Sequence, residues 1–181
     1  MMTDNQLIAI FRRIIINGLK ETGYPYVSVM QNFQPTQQGI TSNPMVSFQK
    51  IHSHNYGPPS REYYIDEDTQ ESKVKQTQQI EARWQVSSLV TQAPDNKTLP
   101  TSSDIAQAVC WTLQNDFAIE ELSAYNIGIL RITNIVNPYI IQDRDQYEAN
   151  SSFDMMLIYF DEKIYSVNKI TPPAEFNMIE V

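Results

Sequence analysis

His52 and His54 stand two positions apart in a run of strand-forming residues, so their imidazoles share one face of the backbone. A divalent metal or an acid–base pair would use that geometry. No acidic or thiol partner accompanies them at a telling spacing, and a partly exposed structural pair is the plainer reading. Cys110, the single cysteine, lies between Val109 and Trp111 in a helical pattern and reads as small core filler. Asp143, Asp145 and Glu148 could gather around a cation. Their segment lacks the glycine and ligand ladder of a calcium loop, and Arg144 supplies an internal counter-charge. A solvated, salt-bridged turn accounts for it more simply.

Asp66, Glu67, Asp68 and Glu71 form another acidic cluster, with Lys73 and Lys75 just behind, and read as a hydrated face. Arg12 and Arg13 are too few for a nucleic-acid footprint. No serine sits in a nucleophile-elbow context, and five glycines leave no room for a phosphate-cradling loop. The expectation is therefore no catalytic residue, no cofactor and no metal. A small metal-dependent enzyme using His52, His54 and the acids at 143–148 is the remote alternative.

The 181 residues are 41% hydrophobic and 19% charged, enough apolar material for one packed domain. The net charge of −8 excludes a counterion-driven grip on DNA or on an anionic lipid surface. The longest apolar run, Ile14-Ile15-Ile16, is far too short to cross a membrane. Met1 to Gln6 has no basic stretch feeding an apolar segment, so no secretory signal is expected.

The elements that would position these residues follow from periodicity. Thr3 and Gln6 match a capping box, and Leu7, Phe11, Ile14 and Ile15 recur at helical spacing, with Gly18 and Gly23 marking the exit. Ile8, Ile10 and Ile16 widen the apolar sector, which suits either burial on two sides or a deep seat in the domain. Strands are expected at Tyr26–Met30 and from Met45 to about Tyr56, where Ile51 falls out of phase and hints at a bulge. Residues 57–79 read as a polar connection. Ile80, Ala82, Trp84, Val86 and Val90 then alternate with polar residues, as in a half-buried antiparallel strand. A second helix capped by Thr101 or Ser102 carries Ile105, Val109, Leu113 and Phe117 on one face, and a short helical piece follows at 119–124. Ile127–Val136 and Phe153–Phe160 are apolar on both faces and expected to be central. Lys163–Val167 is a possible last strand. The expected class is α+β: a mostly antiparallel sheet packed by two main helices, with a long protruding hairpin arm.

Taken in order, several segments resemble the neck proteins of tailed bacteriophages, of the tail-terminator or head–tail joining type. They are Asn32–Gly39 after the first strand, Tyr56-Gly57, Glu81 with Trp84-Gln85-Val86, and Thr101-Ser102-Ser103-Asp104-Ile105. Gly128-Ile129-Leu130-Arg131, Asn137-Pro138-Tyr139, Asp143-Arg144-Asp145 with Glu148, and Ser152-Phe153-Asp154 continue the series. The likeness runs from the first helix to about Phe160. The 57–79 connection and the tail after Lys169 match poorly.

The resemblance implies one domain over 1–181, with 57–79 as an extended arm and 170–181 as a C-terminal tail. It implies a structural virion protein at the head–tail junction, present in the host cytoplasm during assembly. Its partners would be copies of itself in a ring, typically of six, the tail tube protein and a head-completion or connector protein. Phage DNA would pass through the lumen without sequence-specific binding, and no membrane is involved. Asp66, Glu67, Asp68, Glu71, Arg144 and Asp145 are the candidate subunit-interface or lumen residues. Another phage ring component (tail completion, connector or baseplate) shares these expectations, and an adaptor whose 57–79 segment folds on a partner is a further possibility.

Overall fold

A computed structural model describes residues 2–31, 44–91, 96–137 and 148–167. The loop at 32–39, the turn at 93–95, the charged segment 143–145 and the tail from 168 onward lie outside the described residues. Three helices and five strands are described: α1 (Asp4–Glu21), β1 (Ser28–Gln31), β2 (Met45–Ile65), β3 (Ser72–Thr91), α2 (Ser102–Gln114), α3 (Asp116–Ser123), β4 (Ile127–Ile132) and β5 (Glu148–Ser166). The class is α+β. The sheet order is β1-β2-β3-β5-β4. β1 pairs parallel with β2, and the other pairings are antiparallel, so the sheet is mixed.

α1 begins where its capping box puts it. Thr3 Oγ1 accepts from Gln6 N–H at 3.3 Å, and Gln6 Oε1 accepts from Thr3 N–H at 2.8 Å. Leu7, Phe11, Ile14 and Ile15 are buried, while Ile8 and Ile16 are only half-buried. The expected exit at Gly18 is corrected: α1 runs to Glu21, and Gly23 turns the chain with a φ of 90°. Gly18 serves instead as a contact point. A Cβ there would stand 1.9 Å from Thr112 Cγ2 of α2, so the two helices approach closely only because that hydrogen replaces a side chain.

α2 starts at Thr101, whose hydroxyl accepts from Asp104 N–H at 3.2 Å while Asp104 returns a bond to Thr101 N–H at 2.8 Å. Asn115 ends α2 and caps α3, its Oδ1 accepting from Ala118 N–H at 2.8 Å. That break carries Phe117 off the Ile105–Val109–Leu113 stripe and leaves it exposed, contrary to its expected place on α2.

The period-two pattern of β3 sends Ala82, Trp84, Val86 and Val90 into the core. Cross-strand register aligns Phe48 with Val86, Phe153 with Val86, and Met155 with Trp84 on the same face. Trp84 is fully buried between Phe11 of α1 and Phe48 of β2, each ring centroid 6.2 Å away in a tilted arrangement. A buried serine cluster ties the start of α2 to the sheet. Ser88 Oγ donates to Ser102 O and Ser102 Oγ to Ser88 O, both at 2.7 Å, and Ser102 Oγ accepts from Ser151 N–H at 2.7 Å. The opposite sheet face is polar or half-buried: Arg83, Gln85, Ser87, Asp154, Met156 and Ile158.

Two expectations about the strands change. β5 lies between β3 and β4, as a strand apolar on both faces should, but β4 is at the edge of the described sheet. It stops at Ile132, and Val136 keeps only an isolated bridge to Ser152. The bulge at Ile51 is present: register slips between Lys50 and His52, and Ile51 is exposed.

Replacing Gly18 by Ala should cost about 1–3 kcal/mol, because backbone and Thr112 must both give way. Denaturant unfolding followed by Trp84 fluorescence measures this; an unchanged midpoint would refute the close helix approach.

Candidate assembly surfaces

The polar stretch expected as a connection is strand for most of its length. β2 continues through Ile65 and β3 begins at Ser72, joined by residues 66–71. β5 follows β3 along the same stretch, from Phe160 opposite Gln79 to Ser166 opposite Lys73. Lys163–Val167 is thus not a separate strand but the end of β5. The result is a three-stranded ribbon beyond the helical layer.

Period two carries no hydrophobic signal there because both ribbon faces meet solvent. Cross-strand pairs stabilise it instead. Val74 is buried between Tyr63 on one side and Tyr165 on the other, its register partners in β2 and β5. Lys75 Nζ pairs with Glu162 Oε1 at 2.8 Å. A second register slip falls between Tyr56 and Ser60, where Gly57 takes a φ of 67° ahead of Pro58 and Pro59. Gln78 Nε2 braces that bulge, donating to Tyr56 O at 3.1 Å and Gly57 O at 2.9 Å.

The acidic cluster divides into two roles at the tip of the ribbon. Asp66 builds the turn: Oδ1 accepts from Asp68 N–H at 3.0 Å and Thr69 N–H at 3.1 Å, and Oδ2 accepts from Lys73 Nζ. Asp66 N–H donates to Glu71 O at 2.9 Å, and Gln70, at φ 55°, donates to Asp66 O at 2.8 Å. The Lys73 hydrogen bond, helped by the Thr69 and Asp68 N–H groups, lowers the Asp66 pKa from 3.8 to about 2. Glu67, Asp68 and Glu71 are exposed. Arg144 and Asp145, the remaining candidates, lie outside the described residues, so their relation to the tip is untested.

Apolar side chains are also exposed on the ribbon: Tyr56, Tyr63, Ile65, Phe160, Ile164 and Tyr165. At its base an open cleft of ≈ 910 Å³ is lined by Met2 and by Gln6, Ile10 and Arg13 of α1, together with Tyr125 and Phe160. Arg13 bonds Glu121 of α3 at 2.8 Å, and hydrogen bonding to Tyr125 and Glu121 raises its pKa. Trp111 is 63% exposed on α2. Sequence reading missed it, although its position off the Ile105–Val109–Leu113 stripe was the available signal.

The other singled-out residues separate. His52 and His54 are exposed on β2, opposite Arg83 and Glu81. Cys110 is half-buried, and burial pushes its thiol pKa up, away from the reactive thiolate. Among the described residues, no three of His, Cys, Asp and Glu gather closely enough to hold a metal ion. No described helix is long and apolar enough to cross a membrane.

A ribbon stabilised by pairing and an exposed apolar set describe a protein that presents surfaces. Comparison with known families decides which kind. Residues 6–167 match the family of the E217 gateway protein gp29. The chain belongs to that family. The phage neck resemblance read from the sequence is thereby shown, and this gateway-family chain has a structural role at the virion's tail junction. A solved structure similar to it is the sheath/tube terminator of the PVC extracellular contractile injection system in its extended state. The two are 14% identical with a TM-score of 0.45, and the match covers 91% of this chain and 60% of that one. A search of curated proteins gave no match.

The Asp66 pKa is lower in the folded turn than in the unfolded chain, so its contribution is complete above about pH 4 and is lost as pH falls toward 2. Protection of the 66–73 amides, measured against the intrinsic exchange rate at each pH, should therefore fall through that window, and Asp66→Ala should lower protection there at neutral pH. Protection at the tip that does not change through this window would remove Asp66 as the turn's anchor.

Proposed function

We propose that this gateway-family chain works as a ring of identical copies, six in the simplest case, joining the tail tube to the connector beneath the capsid. One closing ring needs heterologous interfaces, in which one patch of each copy meets a different patch of the next. The observation that carries the reading is the ribbon. It exposes Tyr56, Tyr63, Ile65 and Ile164 on strands with no helix of their own to bury them. Surface of this kind is stabilised by burial against a neighbour, by packing or by strand addition at an open edge. In this reading 1–181 is a single domain, 57–79 is a protruding arm within it, and 170–181 is its tail.

The tail tube protein and the head-completion or connector protein are the proposed neighbours of the ring. The protein assembles in the host cytoplasm and performs no reaction. DNA passes through the lumen unread, and the charge of −8 per copy keeps phosphates from sticking. Glu67, Asp68 and Glu71 are the acids available for this, because Asp66 is occupied by Lys73 and the turn. Arg144 and Asp145 complete the proposed interface or lumen set.

Light scattering and negative-stain imaging of the purified protein, alone and with tail tubes, test the ring directly. Closed rings on tube ends support it, and a protein that stays monomeric on tubes would overturn it. Substituting Glu67, Asp68 and Glu71 together by Lys should leave folding intact and slow DNA release from assembled particles. Unchanged ejection kinetics would take these acids out of the lumen.

A further inference from the structure

The sheet face that carries the core continues onto the ribbon. Register places Arg61, Gln76 and Lys163 in one row across that face, and Tyr63, Val74 and Tyr165 in the next, two residues nearer the tip. Both rows share the face of Trp84, because β3 pairs with β5 without a slip and its even-numbered residues stay on one side. Tyr63 is 57% exposed and Tyr165 46%, so an aromatic row stands open around buried Val74.

Charge is divided about that row. On its base side stand Arg61 and Lys163, both exposed and in none of the described ion pairs. Asp161, the acid on the same face, is only 8% exposed. On its tip side stand Glu67 and Asp68, both exposed, while Lys73 is taken by Asp66. The opposite ribbon face is different, since Lys75 and Glu162 neutralise each other there. An apolar row with positive charge on one side and negative on the other is self-complementary under a two-fold axis. The axis reverses the ribbon and sets each charge against its opposite.

We propose that two copies of this chain pair through this face, with their ribbons antiparallel and stacked. Tyr63 and Tyr165 pack across the axis, and Arg61 and Lys163 of each copy meet Glu67 and Asp68 of the other. Stacked sheets lie ~10 Å apart, a gap that facing tyrosines fill and an arginine spans. Three strands by about seven residues give a patch of roughly 14 Å by 23 Å, well under the ~800 Å² per partner of a stable complex. The pairing is therefore weak and concentration-dependent. It is also isologous, closes on itself and cannot build a ring, so it engages free chains and covers Tyr63 before assembly. The inference rests on the ribbon's own side chains and is independent of the ring.

Sedimentation velocity of the full chain without tail tubes, at concentrations up to about 200 µM, tests the pairing. A reversible monomer–dimer equilibrium is expected, about tenfold weaker in ~0.5 M than in ~0.05 M salt because exposed charges are screened. Arg61→Glu with Lys163→Glu should abolish the dimer, and so should Glu67→Lys with Asp68→Lys. Mixing the two variants should restore it as a heterodimer, since each reversed row then meets a reversed tip. Tyr63→Ser should weaken it about tenfold. All five positions are exposed, so the variants fold, which circular dichroism checks. A chain monomeric throughout, a dimer indifferent to both reversals, or a mixture that stays monomeric would each overturn the proposal. Rings that form on tail tubes while the charge-swapped mixture fails to pair would sink this contact and leave the ring standing.

Discussion

The strands of this protein outrun the helices that cover them, and the rest of its architecture follows from that mismatch. The 18 residues of α1 rise ~27 Å. The 20 residues of β3 extend ~66 Å when fully drawn out. Helices can therefore bury only part of the sheet. Over that part the core is conventional, with Trp84 wedged between Phe11 and Phe48 and the Ser88–Ser102–Ser151 cluster fixing where α2 begins. Beyond it no core is available, and the ribbon is held by backbone ladders, the Tyr63–Val74–Tyr165 row and the Lys75–Glu162 pair.

Such a ribbon is weak as an independent structure and useful as a projecting surface. Two-stranded hairpins are marginal in water, and a third strand is the least addition that helps. β5 provides it, which makes the last described strand part of both the core and the ribbon. The bulges at Ile51 and at 57–59 interrupt the β2–β3 register between the two regions, and Gln78 holds the second one in place.

Charge on the molecule is distributed by the same division. Asp66 is consumed by its turn, with its carboxylate held well below the usual range by Lys73 and two backbone N–H groups. Glu67, Asp68 and Glu71 are exposed, and of the three only Glu71 takes a side-chain hydrogen bond, a long one from Ser166 Oγ at 3.4 Å. An acidic cluster that looks uniform in sequence thus contains one residue that builds the turn, one tied loosely to β5, and two with free carboxylates. The family membership gives the chain a setting at the phage tail junction.

The sequence by itself determined what depends on local periodicity and capping. Thr3 with Gln6 reveals the first helix start because capping partners lie three residues apart, and Thr101 or Ser102 marked the second, which the structure assigns to Thr101. The Ala82–Trp84–Val86 alternation reveals β3 because one of its faces is dry. The ordered series of short motifs pointed to a phage neck role. Only the tertiary structure decided the features that depend on partners distant in the chain. It turned 57–79 from a loop into paired strand, since a ribbon wet on both faces has no hydrophobic period to read. It moved Gly18 from a helix exit to a helix contact, since the reason for that glycine is Thr112, 94 residues away. It placed β4 at the described edge and β5 inside, since an apolar strand carries no mark of which neighbour it will pair with.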